Sequence, residues 1–323
     1  MPRAPRRIRA LAPIGALAAL VFLGGCDVQR SFLKIPVGGF WQRLTPVTVV
    51  DPFYPDWKGD RILFIAAEGI DARIALIRSD GTHDTLLAGV SGRNDLWPRW
   101  VSDSVVVFGS NRTDVSRYDL WYMNVRTGVA HSLVAFAKNS VGPDPRPGAP
   151  GLAYAEIPLG GNSLSGRIVL LPDTAASVPD LHYLSPDTLA AGEPEWDPTG
   201  TRVCFSGKGS TPGRHIWVVT LGPTDTTLTQ LTTGPSEDLS PRWSPDGTRI
   251  AFTSDRDNRG GVWVVSAAGE SASLRCVATE IPPAQSSTPA WSPDGLAIVV
   301  SSDGRPLDPK LPRALWLVLN AQP

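Results

Sequence analysis

One heptapeptide pattern returns along this chain at intervals of about 43 to 49 residues, and that return limits the fold more than any other feature. Pro241-Arg242-Trp243-Ser244-Pro245-Asp246-Gly247 leads into Thr248-Arg249-Ile250-Ala251-Phe252-Thr253-Ser254, and Pro289-Ala290-Trp291-Ser292-Pro293-Asp294-Gly295 leads into Ala297-Ile298-Val299-Val300-Ser301. Earlier copies begin at Pro194-Glu195-Trp196, Pro98-Arg99-Trp100 and Pro55-Asp56-Trp57. A sixth, read as Pro145-Arg146-Pro147 before Leu152-Ala153-Tyr154, has lost its tryptophan. Each copy continues to a second apolar motif such as Leu120-Trp121-Tyr122, Ile216-Trp217-Val218, Val262-Trp263-Val264 or Leu315-Trp316-Leu317.

The chemistry of one unit describes a small antiparallel sheet. A short strand ends at Trp243; Ser244-Pro245-Asp246-Gly247 turns the chain, with Pro fixing φ and Gly accepting a positive φ; Arg249 to Ser254 returns as a second strand. A loop leads to a third strand at Trp263, and a turn bearing Gly269 leads to a fourth. Aromatic residues on the first and third strands leave both faces of such a sheet apolar, so one sheet must be covered by the next. The 31 glycines and 31 prolines fit many short strands joined by turns, since neither residue propagates a helix well. The expected fold is all-β: a single six-bladed β-propeller of four-stranded antiparallel blades. The last repeat stops near Leu319 without a fourth strand, and Gln42-Arg43-Leu44-Thr45 matches the fourth-strand ending Gln230-Leu231-Thr232. Residues around Arg43 to Val49 are therefore expected to complete the sixth blade and close the ring, removing an open sheet edge.

Residues 1–25 read as an export signal, with Arg3, Arg6, Arg7 and Arg9, an apolar run from Ala10 to Leu23, and small residues before Cys26. Leu23-Gly24-Gly25-Cys26 resembles the bacterial lipobox, which implies acylation of Cys26, a linker over 26–40 and a propeller over 41–323. The anchor would sit in the inner or outer membrane, on the periplasmic side. Without the four arginines of the signal, 26 basic residues face 31 acidic ones, a net of −5 that gives no electrostatic reason to bind nucleic acid. Cys204 and Cys276 fall in strand-like segments of different repeats and are expected as thiols, with no zinc spacing.

The repeated Pro-x-Trp-Ser-Pro-Asp-Gly, Ile-Ala-Phe-x-Ser and Trp-Val-Val pattern, closest over Trp243 to Val265, resembles the bacterial TolB-type propeller repeat, a WD40-like unit. TolB itself carries an N-terminal α/β domain for which only about 15 residues separate Cys26 from the first strand here. The resemblance implies a binding role in the cell envelope, and it implies that the loops between strands two and three and between blades share one face around the central channel.

On that face the sequence places Asn111 and Arg112, Asp238, Asp255 and Arg256, and Asp303. An Arg and Asp/Asn mouth would hold an extended peptide or protein segment by charge-assisted hydrogen bonds, or these side chains would rigidify their own loops. The expected partner is an envelope protein or peptide bound by a monomer. A receptor for a glycan or cell-wall fragment, suggested by Trp41 and Trp97, and a metal-dependent propeller hydrolase are the other classes. No Gly-x-Ser-x-Gly elbow, phosphate loop or EF-hand loop is present, and His83, His131, His182 and His215 are scattered, so no catalytic residue, metal ligand or cofactor is expected.

Overall fold

The computed structural model describes residues 32–34, 40–46 and 51–319, apart from 70, 83–84, 88, 135–137, 173–180, 257–259, 270–272, 280–285 and 303–312. The export segment 1–25, Cys26, His83 and Asp303 lie outside the described residues.

The chain opens with β1 (Phe32–Lys34) and β2 (Phe40–Arg43) and then lays down six antiparallel sheets in order. The first blade holds β3 (Pro52–Lys58), β4 (Arg61–Glu68), β5 (Asp71–Arg78) and β6 (Thr85–Leu86). The second holds β7 (Asp95–Trp100), β8 (Val105–Ser110), β9 (Asp119–Asn124) and β10 (Ala130–Val134). The third holds β11 (Asn139–Pro145), β12 (Leu152–Ile157), β13 (Arg167–Leu171) and β14 (His182–Tyr183). The fourth holds β15 (Ala190–Trp196), β16 (Arg202–Lys208), β17 (His215–Leu221) and β18 (Thr226–Gln230), and the fifth β19 (Asp238–Trp243), β20 (Arg249–Ser254), β21 (Gly261–Ser266) and β22 (Arg275–Thr279). The sixth begins with β23 (Ser286–Trp291), β24 (Ala297–Ser302) and β25 (Ala314–Leu319), and is finished by β2 and then β1. The expected all-β propeller of six blades is the observed one, with one departure: β1, inside the segment 26–40 read as a linker, pairs with β2 and makes blade six five-stranded instead of four-stranded. Cys204 and Cys276 stand in β16 and β22 and are not joined by a disulfide.

The latch lies slightly earlier in the chain than the sequence match placed it. Trp41 pairs with Val318, Gln42 with Leu317 and Arg43 with Trp316, so the strand is Phe40–Arg43 instead of a segment beginning at Arg43. Leu44 and Thr45 are its end: the Leu44 N–H donates to the Leu315 carbonyl at 2.8 Å and the Leu315 N–H donates to Thr45 Oγ1 at 3.0 Å. Blade four repeats this, with Leu231 N–H on the Ile216 carbonyl at 2.8 Å and Ile216 N–H on Thr232 Oγ1 at 2.9 Å. The Leu-Thr pair marks where a fourth strand stops, which is why the strand precedes it.

A second correction concerns the third repeat. Every inner strand carries a register shift at one place: between Phe53 and Asp56, Leu96 and Arg99, Val141 and Asp144, Gly192 and Glu195, Leu239 and Arg242, and Ser287 and Ala290. The bulge aligns Asp144 with Arg99, so the third copy is Pro143-Asp144-Pro145, two residues before the sequence reading, with Pro145 in the tryptophan position.

Blades are joined by apolar wedges and by one repeated polar device. An arginine of one blade lies over the inner-strand tryptophan of the next: Arg61 over Trp100, Arg146 over Trp196, Arg202 over Trp243 and Arg249 over Trp291, 4.4 to 4.9 Å from the ring centroids. Three of these arginines also donate to a backbone carbonyl of that next blade, at Asp103, Gly200 and Gly247. Each stacking contact contributes on the order of 0.5–2 kcal/mol. At the closing junction Ala297 replaces the arginine, and an apolar cluster containing Leu44, Phe64, Ile77, Val299 and Leu315 joins blade six to blade one. Leu44→Ala should therefore destabilise the chain by about 2–5 kcal/mol in urea unfolding, whereas Leu86→Ala, on an exposed edge strand, should stay within about 0.5 kcal/mol.

Candidate functional site

The chain enters each inner strand from the face where blade-to-blade loops and strand-two-to-three loops meet. Three tiers of side chains follow from that mouth down the channel.

At the rim, two blades carry the same clamp. In blade two the Ser110 hydroxyl donates to Asp95 Oδ1 at 2.6 Å, and Arg112 donates through Nε and Nη2 to the two Asp95 oxygens at 2.9 and 2.6 Å. In blade five Ser254 donates to Asp238 Oδ1 at 2.6 Å, Arg256 Nη2 donates to Asp238 Oδ2 at 2.6 Å, and Arg256 Nε donates to Ser254 Oγ at 2.9 Å. The guanidinium of Arg112 covers Phe108 and Trp121, and that of Arg256 covers Phe252 and Trp263. Asn111 is buried and accepts the Asn94 N–H at 2.7 Å, while Asp255 accepts the Glu237 N–H at 2.8 Å. Of the residues expected at the mouth, Asn111, Arg112, Asp238, Asp255 and Arg256 are described, and their polar atoms bond the inner strand or entry loop of their own blade. Arg112 or Arg256 reaches a partner only by leaving its carboxylate.

One tier below, six residues hold a left-handed backbone: Tyr54, Trp97, Gly142, Glu193, Ser240 and Thr288, with φ between 41° and 59°. Each precedes the proline of its repeat and sits inside the bulge. Five are not glycine, and such a conformation costs about 1–3 kcal/mol each; the ring geometry compensates by hydrogen bonding neighbours together. The Tyr54 N–H donates to Thr288 Oγ1 at 3.1 Å, and Ser240 donates its N–H and hydroxyl to the two Glu193 oxygens at 2.7 and 2.8 Å. The aromatic members form an arc continuing outward: Phe53 to Tyr54 at 5.6 Å, Tyr54 to Trp97 at 6.1 Å, Trp97 to Tyr118 at 5.4 Å between centroids. Gly109 lets the Trp97 ring lie on the β8 backbone, since a Cβ there would meet the ring at 3.0 Å. Burial pushes the Tyr54 hydroxyl up to about 12, with the Glu193 carboxylate adding to the rise.

The third tier is the variable residue of each Pro-x-Trp: Asp56, Arg99, Asp144, Glu195, Arg242 and Ala290. Arg99 bridges Asp56 and Asp144, each at 3.3 Å, and Arg242 Nε lies 4.0 Å from Glu195. The carboxylates also accept the N–H of the next blade's aromatic position: Asp56 from Trp100 at 2.8 Å, Asp144 from Trp196 at 2.7 Å, and Glu195 from Trp243. Between this belt and the ring above it remains a cavity of about 10 Å³, room for about one water. Three carboxyls against two guanidinia leave one negative charge in excess when all are ionised. Burial pushes the Glu195 carboxyl up to about 8 despite Arg242 and Arg99 nearby, and the Asp144 carboxyl up to about 6. Burial likewise lowers Arg242. Burial thus favours the neutral carboxyl in the belt, most strongly at Glu195.

Beside the arc, between blades two and three, a pocket of about 250 Å³ opens on the mouth face, walled by Trp97 and Tyr118 and floored by Val141 and Ile157. Among the described residues no three His, Cys, Asp or Glu side chains are arranged to hold a metal ion. His215 is buried in β17, and His131 and His182 lie in outer strands. Composition and periodicity did not single out the belt, Tyr118 or Asn139. The belt's signal was present as the one position that varies in charge inside an otherwise fixed motif.

A folded-state carboxyl raised above its unfolded value favours folding fully below the ordinary carboxylate range, and that contribution is lost as pH rises toward about 8. The melting temperature of the chain should therefore fall from pH 6 to pH 8.5. Glu195→Gln, which keeps an acceptor for the Trp243 N–H, should flatten that fall by half or more in a calorimetric pH series.

Residues 183–306 match the family described as the TolB beta propeller domain. No curated protein matches the chain by sequence. Among solved structures, TolB from Acinetobacter baumannii is similar with a TM-score of 0.61 at 16% identity, over 82% of this chain and 65% of that one. This chain thus spans a little under two thirds of that TolB. A gluconolactonase from Xanthomonas campestris is similar with a TM-score of 0.59 at 14% identity, over 87% and 89% of the two chains. An oligogalacturonate lyase from Vibrio parahaemolyticus is similar with a TM-score of 0.57 at 13% identity, over 90% and 96%. Such likeness establishes the fold, a six-bladed β-propeller, within which residues 183–306 match the TolB propeller repeat.

Proposed function

We propose that this chain is an extracytoplasmic, lipid-anchored binding module without catalytic activity, which holds a segment of an envelope protein or a peptide at the propeller mouth. The observation that carries this reading is the arc from Phe53 through Tyr54 and Trp97 to Tyr118, half-buried and set on a strained ring at the mouth. Rigid aromatic side chains offer contact area at little entropic cost, and residues held in rare backbone conformations gather at ligand sites. Below them the ion belt fills the channel, so a partner meets a firm floor. The clamps Asp95-Ser110-Arg112 and Asp238-Ser254-Arg256, with Asn111 and Asp255, keep the surrounding loops in place.

The likeness to TolB agrees with a binding role in the envelope, and the export segment with its lipobox supports an anchor at Cys26. The described part of the chain begins with β1 at Phe32, six residues beyond Cys26, a span of about 20 Å when extended. That tether would keep the outer edge of blade six close to the bilayer. The lyase and lactonase neighbours resemble this chain in fold and at low identity, and their activities are not transferred to it.

A photo-crosslinking amino acid at Ser116, on the mouth, should trap a protein adduct in living cells, while the same group at Arg126, in the exposed turn on the opposite face, should not. Adducts only at Arg126 would move the partner off the mouth. Cys26→Ser should abolish incorporation of labelled fatty acid and shift the chain from the membrane to the soluble fraction; unchanged labelling would refute the anchor.

A further inference from the structure

The pocket beside the arc shows more than a general docking face. Among the described residues no charged side chain lines it. The nearest described charges on its blade-two wall, Arg117 and Asp119, are paired with each other at 3.0 Å. Val141 and Ile157 close its base almost wholly buried, and the half-buried rings of Trp97 and Tyr118 supply the accessible apolar wall. The described large apolar side chains with the greatest exposure, Val115 at 63% and Leu159 at 61%, each stand one residue from a lining residue, Ser116 and Gly160. Its volume of about 250 Å³ falls below the roughly 300–1,000 Å³ typical of whole small-molecule sites. A single side chain fits that space.

One polar group is aimed into it. Asn139 is 92% buried, and its Oδ1 accepts the Tyr118 N–H at 2.8 Å, which fixes the amide orientation. Its Nδ2 then faces the pocket, and among the described residues it donates to nothing. The Ser116 hydroxyl is already committed to Asp114 at 2.7 Å. Among the described lining side chains, the polar groups left to meet a ligand are thus the Asn139 amide donor and the hydroxyls of Ser163 and Tyr118. A pyranose would bring several hydroxyls and leave most of them unpaired on burial. An apolar side chain next to a main-chain carbonyl asks for one donor and an apolar floor.

We infer that this pocket receives one uncharged, apolar side chain of an extended peptide segment, with Asn139 Nδ2 donating to a main-chain carbonyl oxygen beside it. The inference rests on the mouth-binding reading and gives it a chemical anchor. Trp97, Tyr118 and Ser163 bound the side chain that enters, and Asn139 holds the main chain beside it.

A random-peptide phage library selected on the purified chain provides the probe, followed by affinity measurements with the selected peptides made synthetically. The expected result is a shared Leu, Ile, Val, Met or Phe anchor. Its replacement by Asp, or Ser163→Trp to fill the pocket, should weaken binding about tenfold or more. Asn139→Asp, which keeps the acceptor for Tyr118 and removes the donor, should weaken binding severalfold, and melting curves confirm that both variants fold. Peptides that bind Ser163→Trp as well as the parent chain but lose affinity on Tyr54→Ala would overturn the pocket and leave the mouth reading standing. A charged shared anchor, or displacement of the peptides by methyl glucoside, would also overturn it. No enrichment over insert-free phage would remove the pocket and the peptide reading together.

Discussion

A blade of this protein is apolar on both faces, and nothing in one repeat can cover them. β12 and β24 are buried along their whole length because a neighbouring sheet lies on each side. The arrangement is stable only when the first and last blades also meet, so the pairing of Phe40–Arg43 with Ala314–Leu319 is the constraint on which the other contacts depend. That pairing, with the Leu315 N–H to Thr45 bond at its end, joins residues 270 or more positions apart. It converts an open stack with two exposed faces into a ring with none.

The six junctions are not equivalent. Blades one to two, three to four and four to five each combine a carboxylate on the next blade's N–H with an arginine over the next tryptophan. At the closing junction Ala290 and Ala297 replace those groups, and Leu44, the Thr288 contact to Tyr54 and the Ser301 hydroxyl on the Pro52 carbonyl take their place. The closure thus lacks both the carboxylate and the arginine of those three junctions, and the latch brings Leu44 to it from the far end of the chain. The strained ring at the mouth is tolerable for the same reason. Six left-handed residues persist because the closed belt and bulges beneath them over-determine the backbone.

The fold was legible because its turn chemistry is repeated: Ser-Pro-Asp-Gly can do little but join two short strands, and Trp243 and Trp291 mark where each begins to pack. Two local errors have one physical origin. Without a tryptophan in the third copy the eye follows prolines, and Pro145-Arg146-Pro147 imitates the motif while the bulge shows it to be Pro143-Asp144-Pro145. The latch was located by Leu44 and Thr45, which seal the strand end instead of starting it. The mouth loops were legible as a face, whereas the partners of Arg112 and Arg256 were not, because Asp95 and Asp238 lie 17 and 18 residues earlier in sequence. The pocket at Asn139 was not legible at all. It is assembled from blades two and three, and Val141, Ile157 and Tyr118 look like ordinary strand residues until the blades are stacked.

Hydrogen exchange at the latch tests this account most directly. If the ring is closed by Phe40–Arg43, the backbone amides of that strand and of Ala314–Leu319 should exchange as slowly as those of the inner strands, because all of them open only when the whole propeller unfolds. Rapid exchange of Phe40–Arg43 while β12 and β24 remain protected would show a ring that stands without its latch, and would contradict the account.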